Sequence, residues 1–201
     1  AKQLVMQRLR DAERELVYDE FVGKEGELLS ASVQRVDSRF VTLDLGRAES
    51  IMPPAEQVMT ERYRPGMRLK VYVSEVRRSV RGPEIIASRT HNELLRRLFE
   101  TEVPEIFNGI VEIKSIAREA GARSKVAVHS TQEGVDPVGA CVGLRGIRIQ
   151  NVVNELMGEK IDVIEWDSDP VKFIANSLSP AQVEEVRLNI DDQTAEVIVP
   201  E

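Results

Sequence analysis

The feature that most constrains the fold is a change of period at Gly23. Upstream of it, in QLVMQRLRDAERELVYDEF, Leu4, Val5, Leu9, Ala12, Leu16 and Val17 recur at the three- and four-residue spacing of one helix face. Downstream, the runs GELLSASVQRV, RFVTLDLG, AESIMP, RLKVYVSEVRR and PEIIASRT are rich in β-formers. Asp37-Ser38, Gly46-Arg47 and Pro65-Gly66 punctuate them as turns. Over residues 68–73 the apolar Leu69, Val71 and Val73 alternate with Arg68, Lys70 and Tyr72, as in a strand that buries one face. Five short strands within about seventy residues, broken only by the insert PPAEQVMT, predict a small closed barrel of five strands.

Such a barrel is of the OB type, a class that commonly binds single strands, although fold alone does not establish that activity. Beyond it the chain returns to helix in NELLRRLFETEVPEIF, then to two strands, IVEIKSIA and SKVAVHS, joined by the turn-former REAGAR. Asp136-Pro137 reads as an N-cap followed by a first-turn proline, so a short helix starts there. Gly143 is expected to end it in a left-handed conformation. After Gly146, Ile149, Val152, Val153 and Leu156 set out a further helix, Gly158 closes it, and KIDVIEW supplies a last strand.

Charge narrows the function classes. The chain carries a net charge of −7, which argues weakly against nucleic acid. The distribution is uneven, however: residues 21–100 hold 14 Lys+Arg against 11 Asp+Glu, whereas residues 166–201 hold 2 against 8. A local basic face on the first half is therefore compatible with an acidic whole. No run approaches the ~20 apolar residues of a membrane span, no signal peptide is visible, and the single Cys141 has no partner for a disulfide. These features predict a soluble, cytoplasmic protein.

The stretch DPVGACVGLRGIRIQNVVNEL holds the main chemical signal. Two helices meeting at Gly-Leu-Arg-Gly present the amide end and dipole of the second helix to an anion. Missing side chains let a phosphate backbone approach, and Arg145 adds a cation at the tip. This is the design of a KH module, whose GXXG loop clamps a short single strand. Gly143, Leu144, Arg145 and Gly146 are the first candidates for RNA contact. Arg148 and Gln150, on the first turn of the next helix, follow. On the barrel, Phe40, Arg68, Lys70, Tyr72 and Arg89 are candidates for stacking and backbone contact, with Phe40 as core and Arg89 as fold support the competing readings. Aromatic residues are only 4% of the chain, so the barrel is poor in stacking platforms.

DPVGACVGLRGIRIQNVVNELMGEKIDVIEW, preceded by EVPEIFNGIVEIKSIAREAGARSKVAVHS, resembles the first KH domain of the NusA family of bacterial transcription elongation factors. The five-strand region resembles that family's OB barrel, of the ribosomal S-one type. The first helix resembles the end of its helical N-terminal domain, and DPVKFIANSLSPAQVEEVRLNIDDQTAEVIV the start of its second KH domain. The resemblance implies an α+β multidomain chain. Residues 1–22 end a helical domain, 23–91 form the OB barrel, 92–168 a type II KH domain, and 169–201 the start of a second KH domain that stops before its own GXXG loop. It also implies a monomer that contacts nascent single-stranded RNA on RNA polymerase, alongside other transcription factors, in pausing, termination and antitermination. The polymerase-binding domain would lie upstream.

Other chemistries find little support. His91, His129 and Cys141 lack zinc-ligand spacing, and no cofactor motif is present. No paired catalytic carboxylates, phosphate-binding Walker loop or nucleophile elbow appears. Trp166 is expected to be a packing anchor between modules rather than a base-stacking surface. The competing functions are a protein-docking scaffold and an RNA-binding appendage of a processing enzyme. In the latter, as in polynucleotide phosphorylase, the KH module precedes the barrel, the reverse of the order here.

Overall fold

A computed structural model describes residues 1–201, which divide into two compact units, 1–98 and 99–201. In the first unit, helix α1 (Lys2–Val22) leads into strands β1 (Leu28–Val36), β2 (Val41–Asp44), β3 (Glu49–Met52), β4 (Arg68–Ser79) and β5 (Gly82–Ser88). They close into a barrel in the order β1-β2-β3-β5-β4, with β4 pairing back onto β1. All pairs are antiparallel except β3 with β5. The strand alternation read from the sequence holds: Leu69, Val71 and Val73 are buried, whereas Arg68, Lys70 and Tyr72 are not.

The barrel interior is filled by Val33, Val41, Leu43, Met52, Val71 and their neighbours. A second cluster puts Phe21, on the last turn of α1, against Val73, Val76 and Ile85. The rest of the α1 apolar stripe behaves differently, because Leu4, Val5, Leu9 and Leu16 are all exposed.

The connection from β3 to β4 is fastened by a buried ion pair. Arg89, just past β5, donates to both Glu61 oxygens at 3.1 and 2.6 Å and to the Lys70 carbonyl at 2.8 Å. The Tyr63 hydroxyl donates to Glu61 at 2.7 Å and accepts from the Val58 amide at 3.0 Å. Burial first, and then the adjacent Glu61 carboxylate, push the Tyr63 hydroxyl well above its ordinary range, so it stays a donor.

Helix α2 (Asn92–Glu102) spans the division between the units and is followed by α3 (Pro104–Phe107). The sequence pattern predicted one continuous helix here. Val103 is instead extended, at φ −115° and ψ 100°, because the ring of Pro104 disfavours helical backbone in the residue before it.

The second unit continues with β6 (Val111–Glu119), β7 (Arg123–Ser130), α4 (Pro137–Val142), α5 (Ile147–Glu155) and β8 (Lys160–Glu165). Its sheet has the order β6-β7-β8, antiparallel between β6 and β7 and parallel between β7 and β8. Helices α4 and α5 contact this sheet, and Val126, Val128, Cys141, Val152 and Leu156 are buried. A second buried ion pair ties the turn after β6 to the segment before β8. Glu159 accepts from Arg118, from the Gly121 amide at 2.6 Å and from the Ser124 hydroxyl at 2.9 Å.

Helix α6 (Pro170–Ser177), capped by Asp169, precedes the hairpin of β9 (Glu185–Asn189) and β10 (Thr194–Ile198). Lys125 Nζ on β7 reaches the last carbonyls of this helical stretch, Ser177 O at 2.5 Å and Ser179 O at 2.8 Å. A cation there satisfies orphan acceptors and complements the helix dipole. No helix is long and apolar enough to cross a membrane.

The buried Arg89–Glu61 pair makes a testable demand. Removing one partner leaves the other charged and unpaired in the interior, so Arg89→Leu is expected to destabilise the barrel by about 3–5 kcal/mol. Urea unfolding followed by a barrel-specific probe checks this, with Arg47→Leu, at an exposed residue, as the near-neutral control.

Candidate nucleic-acid interface

The turn between α4 and α5 is built from the cap outward. The Asp136 carboxylate accepts from the Val138 amide at 3.1 Å, and Pro137 starts α4. The helix then ends at Gly143, whose backbone lies at φ 76° and ψ 175°. This departs from the expected left-handed cap: φ is positive, but ψ places the residue in a region that only glycine occupies readily. The left-handed positions are Arg145, at φ 54° and ψ 24°, and Gly146, at φ 74° and ψ 16°. Leu144–Gly146 form one short 3-10 turn, closed by the Gly146 amide donating to Gly143 O at 3.1 Å. That amide is therefore spent inside the loop.

The loop is braced from below by Arg148. Its Nη1 donates to Ala140 O at 2.7 Å and to Glu105 Oε2 at 2.9 Å, joining α5 to α4 and α3. The aliphatic stem passes directly under Gly143, where a Cβ would stand 2.7 Å from Arg148 Cγ. Arg148, read from the sequence as either an RNA contact or part of a solvated helix face, is engaged here as a brace. Glu105, its partner, carried no sequence signal, since its role arises only when α3 meets α5.

What the loop exposes is narrow. Leu144 is 83% exposed, Arg145 is exposed at the tip, and Ile147 follows at 61%. Helix α5 has no side-chain cap, so its amide end faces the same tip. Gln150 is exposed and bonds Asn154 at 2.9 Å along the helix. Beneath the loop Cys141 is buried, its thiol pushed up to about 12 by burial and by the Glu105 carboxylate, so it is chemically inert.

The barrel candidates separate. Arg89 is fully buried in its ion pair and offers nothing to a ligand, because its guanidinium is committed to Glu61 and Lys70 O. Phe40 and Tyr72 are half-buried, Lys70 is half-buried and Arg68 exposed. One face of Tyr72 is already covered: His91 stacks on it with ring centroids 4.4 Å apart and planes 18° from parallel. Trp166 packs edge-on to His129 at 5.3 Å, with Lys114 Nζ 5.1 Å from its ring centre, a contact inside the second unit. No group of His, Cys, Asp and Glu is placed to hold a metal ion.

The loop geometry predicts unequal costs for its two glycines. Gly143→Ala meets both a forbidden backbone region and the Arg148 stem, whereas a Cβ at Gly146 has open space around it. Urea unfolding of the second unit is expected to show a loss of about 1–3 kcal/mol for Gly143→Ala, with Gly146→Ala costing less.

Comparison with known proteins places this geometry. Residues 89–166 match the family described as a NusA-like first KH domain. The transcription termination/antitermination protein NusA of Halalkalibacterium halodurans is 52% identical over 201 residues, covering 100% of this chain and 53% of that protein. Its counterpart in Bacillus subtilis is 51% identical, covering 100% and 54%, and that of Thermus thermophilus is 51% identical, covering 98% and 51%. The chain thus spans about half the length of the curated relatives it matches. Similarity at this level, continuous through the helix, the barrel and the loop-bearing unit, means that the chain belongs to the NusA family.

Proposed function

We propose that the chain holds single-stranded RNA at the loop of residues 143–146, as the RNA-contacting part of a transcription termination and antitermination factor. The observation that carries this reading is the loop itself: an exposed Leu144-Arg145 tip between two positive-φ glycines, at the uncapped amide end of α5. A phosphate group fits that end by charge and by the absence of side chains. Leu144 and Ile147 supply apolar surface for bases beside it.

The action is binding, with no bond made or broken. Within the whole factor the RNA would be the nascent transcript and the larger partner RNA polymerase, with other transcription factors joining; that the relatives are named transcription termination/antitermination proteins supports a role in transcription. Residues 166–201, with 2 Lys+Arg against 8 Asp+Glu, suit a protein contact better than a phosphate backbone.

Fluorescence anisotropy with a short single-stranded RNA at two salt concentrations tests the reading, comparing the chain with its Leu144→Asp/Arg145→Asp variant. The expected result is salt-sensitive binding that the folded variant loses by at least about tenfold, since two carboxylates then face the phosphate. Equal binding by both would remove the loop as the clamp. Failure of both to bind would leave protein docking as the function of these units.

A further inference from the structure

Two carboxylates outside the loop hold the first turns of α5, the helix whose amide end the phosphate would meet. Glu102, the last residue of α2, accepts from the Asn151 side-chain amide at 3.1 Å, and Glu105, on the first turn of α3, accepts from Arg148 Nη1 at 2.9 Å. The two acceptors are three residues apart and so are the two donors, which makes them successive rungs along one face of α5. The corner that carries the acceptors is itself fixed. Val103 is fully buried there, its amide donating to Phe99 O at 2.8 Å and its carbonyl accepting from the Phe107 amide at 3.2 Å.

The rungs differ in what they reach. Asn151 is exposed and bonds no further, whereas Arg148 continues to the loop. The nitrogen that meets Glu105 also donates to Ala140 O at 2.7 Å, and the stem behind it fills the space beside Gly143. The Arg148 and Glu105 side chains are only 29% and 32% exposed, so solvent screens them less than it does a surface ion pair. An arginine stem is long and regains rotamer freedom when its head is released. Without an acceptor at position 105 the guanidinium keeps one bond, and the stem can leave Gly143.

We infer that Glu105 is a positioning residue for RNA binding: it touches no nucleotide, but by anchoring Arg148 it keeps the 143–146 loop in the one arrangement that RNA meets. This rests on the RNA-binding reading above and adds to it a determinant of affinity from outside the loop. A loop ordered beforehand gives up less freedom on binding, so loosening it weakens binding without removing a contact.

The test uses the full chain with four substitutions. Glu105→Ala removes the acceptor, Glu105→Gln keeps its reach without its charge, and Glu105→Asp keeps the charge but withdraws it by one methylene. Arg148→Met keeps a stem beside Gly143 and removes the guanidinium. Anisotropy with a short single-stranded RNA is expected to show binding weakened by about fivefold or more in Glu105→Ala, Glu105→Asp and Arg148→Met, with Glu105→Gln close to the unsubstituted chain. Glu105→Ala is expected to add nothing to Arg148→Met, because the two act through one bond. The salt dependence is expected to stay unchanged throughout, since no phosphate contact is lost. Without RNA, amide hydrogen exchange at residues 144–147 is expected to speed up by about tenfold in the three weakened variants and not in Glu105→Gln.

Trp166 fluorescence reports whether the second unit is folded; if Glu105→Ala melts it, the contrast between Gln and Asp decides. Unchanged affinity in the Ala and Asp variants would overturn the inference, as would a further loss from Glu105→Ala on top of Arg148→Met. Tighter binding by both Ala and Gln would make the carboxylate a repulsive neighbour of the phosphate, and a salt slope reduced by about one in Arg148→Met would make Arg148 itself a phosphate contact; either result overturns it too. If the unsubstituted chain binds no RNA, the functional reading falls, and hydrogen exchange alone decides whether Glu105 orders the loop.

Discussion

Three helices and the candidate RNA loop meet at one guanidinium. Arg148 belongs to α5, donates to the last turn of α4 and to Glu105 of α3, and lays its stem where residue 143 would carry a side chain. The glycine there answers two independent constraints, a backbone conformation that other residues resist and a space already filled. Because the brace is internal, Leu144 and Arg145 are pushed outward without having to order themselves on contact with a ligand. A loop so held presents Leu144 and its single tip cation in one arrangement.

The same kind of interaction recurs where loops must be pinned to a core. Arg89–Glu61 fastens the long connection between β3 and β4, and Arg118–Glu159 fastens the turn between β6 and β7 to the start of β8. Each pair is fully desolvated, and each glutamate accepts from further donors, Tyr63 in one case and Gly121 and Ser124 in the other. Such pairs add little net stability against an apolar alternative, but a chain that misplaced either loop would bury a lone charge. Their effect is on which arrangement forms. It also removes Arg89 from the ligand-facing surface.

For an acidic protein to contact RNA in the way proposed, its cations must be grouped. Here they are sparse on the loop, where Arg145 alone stands at the tip, and more frequent in residues 21–100. A loop that supplies apolar contact, one charge and the start of one helix holds few nucleotides.

Much of this architecture was legible in the chain alone. Alternation of Leu69, Val71 and Val73 with Arg68, Lys70 and Tyr72 determined a one-sided strand, the change of period at Gly23 separated helix from barrel, and Asp136-Pro137 with the two glycines located the loop. These are local signals: spacing, caps and turn residues act over a few positions, so they survive in one dimension. Long-range partners left no such mark. Arg148 reads as a ligand-facing or solvated cation, and Arg89 stays open between ligand contact and fold support, because nothing nearby in sequence marks Glu105 or Glu61 as their partners. Tyr72 read as an open platform because His91 lies nineteen positions along, at the start of another element. Sequence therefore determined where the loop and barrel are and which residue types they carry. Only the tertiary structure decided which of those side chains face solvent, because a charged or aromatic group reaches outward or turns inward according to the neighbour that folding brings to it.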